Sequence, residues 1–101
     1  MIVARFRMTA QPERASEVET ALVKVIEPSR SLPGVVHFDV GRDISDSNSF
    51  IATEVFDDVD ALERQESLPE VHTAMAVLGE ALAAPPEATV FHVSSSQPWG
   101  E

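Results

Sequence analysis

Apolar and polar positions alternate with a period of two over residues 2–9, placing Ile2, Ala4, Phe6 and Met8 on one face and Val3, Arg5, Arg7 and Thr9 on the other. This predicts a first strand with unequal faces. After Gln11-Pro12-Glu13, where proline and an acid suit a helix start, the period changes. Val18, Ala21, Leu22, Val25 and Ile26 recur at helical spacing and predict an amphipathic helix over 13–28. Pro28 lacks the amide for the intrahelical bond, so the helix is expected to kink or decay there.

Leu32-Pro33-Gly34 breaks the chain, and a second strand is expected over 35–42, with its apolar stripe on Val36, Phe38 and Val40. Residues 43–49 are dense in polar turn formers and read as a hairpin connection. A third strand, Phe50 to Phe56, carries Phe50, Ala52, Glu54 and Phe56 on one face. Asp57 or Asp58 is placed to cap a short helix whose buried face begins with Val59 and Leu62. Ser67-Leu68-Pro69-Glu70 has the spacing of a capping box and opens a longer helix with the core stripe Val71, Ala74, Met75, Leu78 and Leu82. Pro85-Pro86 ends that helix, and residues 88–94 alternate as a fourth strand.

The order β-α-β-β-α-β points to an α+β ferredoxin-like sandwich, a four-stranded antiparallel sheet in spatial order 4-1-3-2 with helices on one face. Residues 1–94 form the domain, and 95–101 are a C-terminal tail in which Trp99 is either free or an anchor on a partner subunit. Apolar residues on the second sheet face are a liability in a monomer, so a homodimer pairing sheet faces is expected.

The 101-residue length allows one domain, and 44% apolar residues allow a real core. Seventeen acidic against seven basic residues give a formal charge of -10, and the basic ones form no run, which argues against nucleic acid. The N-terminus alternates instead of showing a basic head and apolar core, and no segment is long and apolar enough to span a bilayer, so neither a signal peptide nor membrane association is expected. With no cysteine, disulfides, thiolate metal sites and a cysteine nucleophile are excluded, in keeping with a cytoplasmic protein.

No phosphate loop, dinucleotide fingerprint, nucleophile elbow or metal-ligand spacing is present, and His37, His72 and His92 are far apart in sequence. No metal or organic cofactor is therefore expected. Glu54 shares a strand face with Phe50 and Phe56; facing a pocket it would be a base of raised pKa, whereas facing solvent or an arginine it would be structural. His72 on the last helix is a second proton-transfer candidate or a surface histidine, and Arg5 either steadies an oxyanion or makes an ion pair at the sheet. Phe38, Phe50, Phe56 and Met75 either line an apolar pocket or pack in the core.

The segments SRSLPGVVHFDVGRD at 29–43, SFIATEVFDD at 49–58 and ALERQESLPEV at 61–71 together resemble the antibiotic biosynthesis monooxygenase (ABM) domain, over about residues 1–94. The resemblance implies a dimeric ferredoxin-like α+β barrel with a small-molecule pocket between sheet and helices. It also implies, for some members, oxidation of phenols or quinols by molecular oxygen without metal or flavin. Glu54 matches the family's recurrent acidic position. Phe56 stands where many relatives have tryptophan, Phe38 where a tyrosine is common, Gln65 where a histidine is frequent and Ala52 where certain oxygenases and haem-degrading relatives have asparagine. The haem-ligating histidine aligns near Met75, three residues from His72, which argues against haem degradation.

The leading expectation is a cofactor-independent monooxygenase acting on a small electron-rich aromatic, with Glu54 or His72 moving the proton and Arg5 stabilising negative charge. The alternatives are a noncatalytic ligand-binding dimer and an isomerase or detoxification enzyme for a small carbonyl metabolite.

Overall fold

The computed structural model describes residues 1–100. Strand β1, Ile2–Thr9, leads through a single 3-10 turn, Pro12–Arg14, into helix α1, Ala15–Arg30. The hairpin of β2, Val35–Asp43, and β3, Asp46–Phe56, precedes α2, Val59–Glu66, and α3, Pro69–Ala81; β4, Glu87–His92, completes the sheet. The order β2-β3-β1-β4, antiparallel throughout, is the expected 4-1-3-2 read from the other edge.

Four local expectations are corrected. Pro28 lies inside α1, which continues to Arg30 because the Ser31 amide still reaches the Glu27 carbonyl at 3.2 Å. The 43–49 segment is mostly strand: only Ile44 and Ser45 form the turn, and Asp43 tightens it by accepting from the Ser45 amide and hydroxyl at 2.8 and 2.7 Å. The capping box does not form. Ser67 donates to the Glu63 carbonyl at 2.8 Å and closes α2, while α3 starts at Leu68 in extended conformation with Pro69 in its first turn. Finally, a register shift between Val35 and His37 turns Val35 to the covered face with Phe38 and leaves Val36 exposed.

The core lies between one face of the sheet and the helices. Met8, Ala10, Val18, Leu22, Phe50 and Leu78 pack at one end, and Ile2, Ala4, Phe56 and Ala61 at the other. Ala21, Val25, Phe38 and Ala74 join α1 and α3 to β2. Gly34 makes the approach of α2 possible: its φ is +84°, and a Cβ there would stand 2.7 Å from that of Ala61. Asp58 caps α2, its carboxylate accepting from the Ala61 amide at 2.9 Å. No helix is long and apolar enough to cross a membrane among the described residues.

Candidate functional site

The strand register sorts the candidates by face. On the helix side one row runs Phe38, Glu54, Ala4, Val90 across β2, β3, β1 and β4, flanked by the rows Val40, Ala52, Phe6, Ala88 and Phe56, Ile2, His92. On the outer side the matching rows are His37, Val55, Val3, Phe91 and Asp39, Thr53, Arg5, Thr89. Glu54 and Arg5 therefore project from opposite faces of one sheet. The expected pairing of a Glu54 base with an Arg5 oxyanion clamp cannot form within a subunit, because Arg5 follows Ala4, the partner of Glu54, and successive residues of a strand point to opposite faces.

Glu54 is 6% exposed and stands among apolar neighbours. It makes no hydrogen bond or ion pair with any described residue. Among the described residues no solvent-sealed side-chain oxygen or nitrogen lacks a partner, so both Glu54 carboxyl oxygens still touch accessible space. The group is thus buried in its body and open at its tip. Burial first, and the negative field of Glu66 second, push its pKa up to about 8. Strand alternation revealed which face Glu54 shares, but not that the helices would leave its carboxyl without a counter-charge.

The row that holds Glu54 ends at β4, which is exposed along its whole length. Val90 lies two strand spacings from Glu54 in the same row, roughly 10 Å away at the backbone. Further along, Met75, Gly79, Leu82 and Pro85 border an open apolar depression of about 440 Å³ between α3 and the connection to β4. A larger depression, about 620 Å³, lies elsewhere, between α1 and α3 along Thr20, Lys24, Glu70 and Thr73. It holds none of the residues singled out in the sequence. We place the candidate site at Glu54, where a desolvated acid-base group exists, and not at the larger groove.

The remaining candidates separate. His72 is exposed on α3, one turn before Met75, and Met75 is 55% exposed where the periodicity placed it in the core stripe. Phe38, Phe50 and Phe56 are buried at 3%, 3% and 0% and serve as packing; only Phe50 reaches a small surface depression, where the Arg42 guanidinium sits 4.7 Å over its ring. Gln65 is a buried polar residue whose amide donates to the Ser29 hydroxyl at 3.1 Å, tying α2 to α1. Its amide is thereby occupied, where the family's histidine would offer an imidazole. No group of three or more His, Cys, Asp or Glu gathers to hold a metal among the described residues.

On the outer face Arg7 is engaged, donating to Asp43 at 2.9 Å with Asp46 at 3.7 Å, while Ser49 bridges Asp46 and Thr9. The two Ser45 donors, followed by Arg7, hold the Asp43 carboxyl down at about 2. This cluster secures the hairpin end. Trp99, in the segment after β4, is fully exposed, and Glu101, the last residue of the expected tail, lies outside the described residues.

Comparison with known proteins agrees with this geometry. Rv0793 from Mycobacterium tuberculosis superposes with a TM-score of 0.89 at 21% identity, covering 96% of this chain and 98% of that one. A provisionally assigned antibiotic biosynthesis monooxygenase from Nitrosomonas europaea gives 0.89 at 16% identity, with 94% and 100% covered. Both are likenesses of fold. An uncharacterized protein of Synechocystis, sll1783, is 28% identical over 96 residues; the match takes in 95% of this chain and spans 65% of that relative's length. Residues 1–77 match the sequence profile of the family described as antibiotic biosynthesis monooxygenase. A sheet in this order, helices on one face and a profile match over most of the chain agree: the protein belongs to the antibiotic biosynthesis monooxygenase family.

Proposed function

We propose that this protein is a cofactor-independent monooxygenase that oxidises a small electron-rich aromatic, a phenol or quinol, in the crevice at Glu54. The observation that carries the reading is the buried Glu54 carboxyl with solvent-accessible oxygens and no partner. Its pKa of about 8 lies below that of an ordinary phenol, roughly 10, and well above an ordinary carboxyl, so its ionised form is an effective base toward a phenolic proton. In this mechanism Glu54 takes the hydroxyl proton and the phenolate donates electrons to molecular oxygen. One oxygen atom bonds to a ring carbon that loses its hydrogen and remains as a carbonyl. The other leaves as water, and the substrate supplies all four electrons. The apolar surroundings of Glu54 desolvate the anion.

The reading assigns the proton transfer to Glu54 and gives the exposed His72 and Met75 of α3 no part in it. Arg5 belongs to the outer face, where Val3, Ile51, Val55 and the half-exposed Phe91 form an apolar patch. A homodimer joined through these sheet faces, working in the cytoplasm, is part of the same proposal. Light scattering at several concentrations is expected to give twice the chain mass, and a constant monomer mass would contradict it.

The reaction is tested by screening phenols, quinols and small carbonyl compounds against metal-free, flavin-free protein while recording product mass and oxygen uptake. Substrate-dependent uptake with one oxygen atom incorporated is expected. Product formed at the same rate without oxygen would instead select the isomerase reading, for which the same unpartnered carboxyl would suffice as a base.

A further inference from the structure

The Glu54 crevice also bears on the charge of what enters it, an argument that rests on the function just proposed. We infer that the substrate is an uncharged phenol, and that an aromatic carrying a carboxylate, sulfonate or phosphate is rejected, because every lysine and arginine side chain of the subunit is committed away from this crevice. Arg5 and Arg7 project from the other face of the sheet, and Arg7 is held by Asp43. Arg14 pairs with Glu17 at 2.7 Å, and Lys24 borders the groove between α1 and α3. Arg30 donates to the Phe38 carbonyl at 2.9 Å and to Asp39 at 3.2 Å. Arg42 pairs with Glu19 at 3.2 Å over the Phe50 ring, and Arg64 donates to the Pro33 carbonyl at 3.2 Å.

Among the described residues, the charge that acts on Glu54 is the negative one of Glu66, at the end of α2. A substrate anion would therefore lose its hydration among Ala4, Phe6 and Val90, gain no counter-ion, and face two carboxylates. A neutral hydroxyl meets none of these costs and finds in Glu54 an acceptor with free lone pairs. The arrangement selects by repelling the charged competitor more than by attracting the neutral one.

The test compares 2-naphthol with 6-hydroxy-2-naphthoate, the same ring system with and without a carboxylate. Binding is measured by calorimetry without oxygen, so that affinity is read separately from turnover. At about pH 8.5, above an imidazole's ordinary range, 2-naphthol is expected to bind at least about tenfold more tightly than the naphthoate. Glu66→Gln, at an exposed position, is expected to bring the two affinities closer by severalfold. Equal or tighter binding of the naphthoate would overturn the inference and leave the proposed reaction standing. If neither compound bound up to the solubility of the neutral one, the crevice itself, and with it the proposed function, would fall.

Discussion

The two faces of the sheet carry acidic groups of opposite character. On the outer side, Asp43 is surrounded by donors, two from Ser45 and one from Arg7, and its carboxyl is held at about 2. On the helix side, Glu54 has no donor, lies under apolar packing and rises to about 8. The strands that carry them are neighbours in one sheet, so the difference is a matter of which side chains stand near: Ser45 of the turn and Arg7 of β1 at Asp43, apolar packing under the helices at Glu54. A carboxylate supplied with hydrogen-bond donors and a cation is structural, because its proton is gone at any physiological pH. One denied both is poised to exchange a proton, and its retention in a core weakens the fold.

The sharpest way to break the comparison is Glu54→Gln, which keeps shape and removes the titration. On the proposed function, turnover is expected to fall by about a hundredfold or more, read as oxygen uptake. Gly34→Ala is expected to cost about 3 kcal/mol in denaturant unfolding, since the new Cβ meets Ala61 at 2.7 Å and the φ of +84° suits only glycine.

The two carboxyls also predict opposite pH dependences. The Glu54 pKa is raised in the fold, so the stability associated with its protonated form is complete below about pH 4.5 and is lost as pH rises through about 8. Glu54→Gln should therefore be more stable than wild type at about pH 9, by something of the order of 2–3 kcal/mol, with the gap closing at about pH 4.5. Asp43 works the other way. Its stabilisation is present above the ordinary 3.8 and is lost as pH falls through about 2, so Asp43→Asn should flatten the acid limb only.

Smaller effects refine the picture. Gln65→Leu strands the buried Ser29 hydroxyl and should cost about 1–2 kcal/mol in thermal or chemical unfolding. His72→Ala, at an exposed position without a bonded partner among the described residues, should change turnover by less than about threefold. A large loss there would move the proton-transfer role from the strand to α3.

Much of this was legible in the residues. The period of two in β1 and the period of 3.6 in α1 gave the elements, and their order gave the sheet. Glu54 on the face of Phe50 and Phe56 was visible from alternation alone. What local pattern could not give was tertiary. The shift at Val35 and His37 reverses the covered side partway along β2. Met75 obeys the helical period of the core stripe yet is 55% exposed, because α3 packs mainly against α1. Arg5 and Glu54 looked combinable until the register between β1 and β3 set them on opposite faces. Ser67 had the capping-box spacing, but its hydroxyl was already used by the end of α2.

The central claim, that the fold leaves Glu54 as a desolvated and unpartnered acid, is tested most directly by a carbon-13 NMR titration of glutamate side-chain carboxyls, with the Glu54 resonance assigned from Glu54→Gln. One carboxyl titrating near 8, absent in the variant, is the predicted result. Titration of Glu54 near 4.5 would show that it is solvated or paired, and would contradict the account.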